Sequence, residues 1–91
     1  MKKYKIAHFG IFDESELDLE IIAIYHNDLE KLKSLLGENV NKTIYIHGEY
    51  IERFTPLEVA LYLNKKEIIE YLLKNNGRTK KRKYQLLSSK K

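Results

Sequence analysis

The chain has 91 residues, 43% hydrophobic and 33% charged, which suits one small soluble globular domain whose core is only just large enough to hold it together. Cysteine is absent, so a disulfide framework and thiolate chemistry are excluded, and a reducing, cytoplasmic setting is the expectation. No apolar run approaches the roughly 20 residues that span a bilayer, and no apolar segment of signal-peptide kind follows Met1-Lys2-Lys3, so no membrane partner is expected.

Residues 1–12 read as an N-terminal arm. Tyr4, Ile6 and His8 alternate with Lys5, Ala7 and Phe9, the period of a short strand or extended segment. Gly10 permits a turn, and Phe12 is expected to pack inward. Asp13-Glu14-Ser15-Glu16 has the spacing of a capping box, in front of Leu17, Leu19, Ile21, Ile22 and Ile24, so the first helix is predicted from about Glu14 to Tyr25. The acids Asp13, Glu14, Glu16, Asp18 and Glu20 cluster where they suit the helix dipole, which accounts for them better than general acid–base work. Asp28 can cap a second helix whose Leu29, Leu32, Leu35 and Leu36 form one stripe ending at Gly37, and this completes a first unit over residues 13–40.

Residues 41–54 carry two β-branched and aromatic runs, Thr43-Ile44-Tyr45-Ile46 and Glu49-Tyr50-Ile51-Glu52, on either side of His47-Gly48. That pattern predicts a β-hairpin with a two-residue turn at His47-Gly48 requiring positive φ. Thr55 then caps a helix, Pro56 takes its first position, and Glu58 completes a second capping box. Leu57, Ala60 and Leu61 share one face of that helix. After Asn64-Lys65-Lys66 a second stripe, Ile68, Ile69, Leu72 and Leu73, runs to Asn75-Asn76-Gly77, giving a second unit over residues 55–77. Arg78, Lys80, Lys81, Arg82, Lys83, Lys90 and Lys91 follow with no acid among them. They turn a body of net −3 into a chain of net +4 and define a basic tail over residues 78–91. Tyr84 and Leu87 are placed to cover the end of the second unit.

The second unit, Thr55-Pro56-Leu57-x-Val59-Ala60 followed after six residues by Glu67-Ile68-Ile69-Glu70-Tyr71-Leu72-Leu73-Lys74, resembles one ankyrin repeat, with Glu58 where that family usually has His and Asn64 where it usually has Gly. A repeat cannot bury its face alone, and a partner lies 37 residues earlier. Ala23, Tyr25, Asn27, Glu30, Leu35, Leu36 and Asn39 match Ala60, Tyr62, Asn64, Glu67, Leu72, Leu73 and Asn76. The resemblance covers roughly residues 16–77. It implies a mainly α fold: an ankyrin-like stack of two helix pairs with an extended β-hairpin between the repeats, longer by about four residues than a usual 33-residue repeat requires.

His8, His26 and His47 lack metal-ligand spacing, and no nucleophile elbow or phosphate loop is present, so neither metal nor cofactor is expected and an enzyme is not expected. The resemblance implies instead a protein-binding module. Its contact surface would combine Tyr45, His47, Glu49, Tyr50 and Arg53 from the hairpin finger with Tyr25, Glu58 and Tyr62 from the inner helices. Stand-alone ankyrin-like chains occur as bacterial immunity proteins that neutralise a toxin and as inhibitors encoded by phage or pathogens. The expectation is therefore a small inhibitor, monomeric or weakly homodimeric, whose partner is another protein such as a toxin or host enzyme. The competing classes are a basic nucleic-acid-associated protein and a homodimeric structural module. Specific nucleic-acid readout is not expected, because no stacking residues interleave Lys80-Lys81-Arg82-Lys83.

Overall fold

The computed structural model describes residues 2–80. Four strands and four helices follow one another as β1 (Lys3–Ile6), β2 (Gly10–Asp13), α1 (Leu19–Tyr25), α2 (Leu29–Leu36), β3 (Ile44–His47), β4 (Ile51–Phe54), α3 (Pro56–Leu63) and α4 (Lys66–Lys74). Short 3-10 turns at Ala7–Phe9 and Glu14–Glu16 flank β2. The strands make two separate two-stranded antiparallel sheets, β1–β2 and β3–β4.

Local chemistry explains most of these boundaries. Thr55 and Glu58 form the reciprocal cap of α3: the Glu58 amide donates to Thr55 Oγ1 at 3.3 Å, and the Thr55 amide donates to Glu58 Oε1 at 2.9 Å. Asp28 caps α2 by accepting from the Lys31 amide. Asn27 and Asn64 both adopt φ 57° between the paired helices, the left-handed conformation that asparagine tolerates. Each is followed by the same bond, Asp28 N to Ala23 O at 2.8 Å and Lys65 N to Ala60 O at 3.0 Å. Beyond α4, the Gly77 amide donates to Leu72 O at 2.6 Å, and a Cβ at Gly77 would stand 2.8 Å from that oxygen, so only glycine permits the approach.

The helices obey the 37-residue offset, since α1 and α2 begin at Leu19 and Leu29 while α3 and α4 begin at Pro56 and Lys66. The hairpins recur too, but after 41 residues, with β1 starting at Lys3 and β3 at Ile44. Each unit is thus a hairpin followed by a helix pair. Residues 14–18 separate strand from helix in the first unit, where Thr55 alone does so in the second.

One continuous core joins all of this. Ile6, Ile21, Ile24, Leu32, Ile44, Ile46, Val59, Ile68 and Leu72 are wholly buried. The helix α1 packs on both α2 and α3, and α3 packs on α4.

Three expectations are corrected. The fold is mixed α/β, with four helices and two antiparallel sheets, and not the mainly α, ankyrin-like stack with a projecting hairpin. The physical reason is that strand side chains build the core: Tyr4 and Ile6 from β1, Ile44 and Ile46 from β3, and Phe54 from β4 are all buried. The N-terminal arm is itself a hairpin, folded back by Ala7 at φ 48° and Gly10 at φ 130°. Second, α1 begins at Leu19 and not near Glu14. The Asp13–Glu16 capping box forms, but it caps a 3-10 turn, after which Leu17 is extended (φ −115°, ψ 137°) and bridges to Ile46. Third, the β3–β4 connection is the three residues Gly48, Glu49 and Tyr50, because His47 lies in β3 opposite Ile51, and none of the three has positive φ. The expected packing of Tyr84 and Leu87 falls outside the described residues.

Candidate functional site

The β3–β4 hairpin has two unlike faces. Its register pairs Ile44 with Phe54 and Ile46 with Glu52 on one face, and Tyr45 with Arg53 and His47 with Ile51 on the other. The first face is a wall of the core up to Ile46. The second carries the half-buried Tyr45 and the exposed His47, Ile51 and Arg53. Tyr50, at the tip, is 74% exposed and Ile51 65%.

Asp18 fixes this hairpin from the side. Its carboxylate accepts from the Tyr45 amide at 2.9 Å and lies 3.0 Å from His47 Nε2, while its own amide donates to Tyr45 O at 3.2 Å. The Tyr45 and His47 rings lie 5.7 Å apart at a tilt of 31°. Asp18 stands where the repeat offset places the Thr55 cap, yet its side chain makes no cap bond to α1. Sequence reading assigned Asp18 to a solvated helix terminus and missed this role. The 37-residue equivalence with Thr55 points to a cap and so gave no signal for it.

Tyr45's backbone is engaged by Asp18, so it does not exchange bonds with Arg53 opposite. In an antiparallel ladder the bonded pairs are then Ile44 with Phe54 and Ile46 with Glu52. Ile51 and Arg53 accordingly turn their backbone groups toward the far side of β4. There the Arg53 carbonyl accepts from Lys80 Nζ at 3.1 Å.

A groove of about 440 Å³ separates the two hairpins. Phe9, Ile11, Phe12 and Tyr50 give it apolar walls, and Glu16, Glu49 and Glu52 face it. Among the described residues no lysine or arginine lines it. The Phe12 ring lies against Gly48, where an added Cβ would meet it at 2.9 Å, so the two hairpins touch at the groove. Ile11, Phe12, Glu16 and Glu52 were not among the predicted contact residues: Phe12 was expected only to pack inward and Glu16 only to cap a helix.

The remaining predicted residues are spread over the molecule. Glu58 is buried, holds the α3 cap and accepts from the Lys80 amide through Oε2 at 2.9 Å. Tyr62 sits among Phe9 at 5.0 Å, Phe54 at 5.9 Å and His8 at 5.8 Å, joining the β1–β2 turn to α3. Tyr25 packs edge-on against Tyr4 at 4.8 Å. The structure therefore brings Tyr45, His47, Glu49, Tyr50 and Arg53 together on the finger and places Tyr25, Glu58 and Tyr62 in packing roles elsewhere.

Away from the groove, Lys42 Nζ lies 2.6 Å from Glu20 Oε2, with the Glu20 side chain almost wholly buried. That hydrogen bond, and then the charge of Glu20, raises the Lys42 pKa above the lysine value of 10.5. Among the described residues no group of three His, Cys, Asp or Glu is arranged to hold a metal, and no helix is long and apolar enough to cross a membrane. No protein-family model, curated protein or solved structure matches the chain.

Proposed function

We propose that this chain is a non-catalytic protein-binding module that works in the cytoplasm as a small inhibitor, of the kind that neutralises a toxin or host enzyme, and that the finger is its contact surface. The observation that carries this reading is the division of the β3–β4 hairpin. One face is fixed in the core, while the tip leaves Tyr50 and Ile51 extensively exposed. A rigid strand pair that displays an aromatic ring loses little entropy on binding, and tyrosine is enriched among interface anchors. Asp18 adds to this rigidity by holding Tyr45 and His47. The likeness of residues 55–74 to an ankyrin unit supports a binding role as well, since that family works mostly by protein recognition.

The test compares the tagged wild-type chain with a Tyr50→Ala/Ile51→Ala variant as bait in the native cytoplasm. The reading expects a protein retained in stoichiometric amount by the first and lost by the second, whose activity falls when the purified wild-type chain is added. Equal retention by both baits would rule out the finger as the contact surface, and an unchanged activity would rule out inhibition.

A further inference from the structure

Resting on the protein-binding reading, we infer that β4 receives an extended, lysine- or arginine-bearing segment of the partner as an added antiparallel strand. Ile51 and Arg53 turn their amides and carbonyls away from β3, and among the described residues the only group bonded to them on that side is Lys80 Nζ, on the Arg53 carbonyl. An edge with spare donors and acceptors is a template for strand addition, in which main-chain bonds give affinity and alternate side chains give specificity. Here the alternation is set by the register. Residues opposite Ile51 and Arg53 would lie on the finger's outer face, and the residue opposite Glu52 would lie on the groove face.

Charge selects the occupant. Glu52 shares the groove with Glu49 and Glu16, and among the described residues no cation lines it, so the added strand's groove-facing side chains are basic. The outer-face neighbours on β4 are Ile51, which is 65% exposed, and Arg53, a cation, so the alternate positions are apolar and not basic. A second copy of this chain fits poorly. Two β4 edges paired about a two-fold axis would set both grooves on one side of the sheet, with their glutamates adjoining.

The register also dictates which amides of the added strand matter. Those of the apolar residues, opposite Ile51 and Arg53, face β4, and those of the basic residues face away. The probe is therefore a short synthetic peptide of alternating lysine and valine, offered to the full chain in three forms: unmodified, N-methylated at the valine amides, and N-methylated at the lysine amides. All three have the same charge. Binding is read by fluorescence anisotropy, with the Ile51 and Arg53 amide resonances followed by NMR. The expected result is that valine methylation weakens binding by roughly tenfold or more, the scale of losing backbone hydrogen bonds, while lysine methylation is tolerated. Glu52→Lys should weaken the unmodified peptide comparably.

Equal binding of the three forms, or none, would overturn strand addition. So would tight binding that appears only after Lys81→Gln/Arg82→Gln/Lys83→Gln, which would make the chain's own tail the occupant. A dimer dissociated by Ile51→Pro would overturn it in favour of a second copy. If the peptides fail while retention of a cellular protein still depends on Tyr50 and Ile51, the added strand falls and the protein-binding reading stands. Failure of both would remove both.

Discussion

Asp18 and Thr55 stand at equivalent places before α1 and α3, and their side chains serve different ends. Thr55 closes its own helix, whereas Asp18 reaches across 27 positions to the Tyr45 amide. Thr55→Ala should cost about 1 kcal/mol, the value of a lost cap. Glu58→Ala should cost more, because its carboxylate also accepts from the Lys80 amide. A double-mutant cycle by chemical denaturation checks the pair. Non-additivity is expected from the two reciprocal bonds, and full additivity would mean that the box contributes nothing as a unit. Both residues of this cap were readable from Thr55-Pro56-Leu57-Glu58, since a capping box is a local pattern. The role of Asp18 was not, because its partner lies on another element and a carboxylate before a helix already has an ordinary explanation. The Lys42–Glu20 pair gives a pH prediction. A lysine whose folded pKa is raised stabilises the fold at lower pH, and that contribution is lost as pH rises past 10.5 and through the higher folded value. Wild-type melting temperature should therefore fall faster across that range than that of Lys42→Met, which has no such proton to lose. Parallel curves would deny the pair its role.

The helix pairs and the hairpins differ in how they are specified. Leu72 is wholly buried on α4, so Leu72→Ala should cost about 2–5 kcal/mol by the usual scale for truncated core leucines. A negligible shift in the denaturation midpoint would contradict its place in the core. That stripe was visible at helical spacing, as were the asparagine turns at Asn27 and Asn64. The β1–β2 hairpin was half visible. Alternation marked its first strand, but the chain reverses through Ala7 at φ 48°, a residue type that gives no turn signal, so the second strand was hidden. The start of α1 was misplaced for a related reason. Leu17 fits a helical stripe by spacing, yet its amphipathic position is overridden by the bridge to Ile46. The finger's existence was legible and its turn was not, because the His47–Ile51 pairing extends the ladder beyond the glycine expected to make the turn. The groove depends on both hairpins meeting, and no single segment encodes that meeting.

At the scale of the whole molecule, charge is divided between a body of net −3 over residues 1–77 and the seven basic residues that follow. Any association with DNA should be a counterion effect, weakening steeply with salt and indifferent to sequence. Titrations at low and physiological salt on two unrelated duplexes check this. A sequence-specific complex surviving physiological salt would favour the nucleic-acid alternative. The central claim is different: one strand pair is core on one face and recognition surface at its tip, and the two roles separate. The most direct test measures melting temperature and affinity for the retained partner on one preparation of Tyr50→Ala/Ile51→Ala. The account predicts an affinity loss of about 2 kcal/mol or more, the scale of interface hot spots, with melting close to wild type. A variant that melts far earlier yet binds normally when folded would contradict it, by making both side chains part of the fold alone.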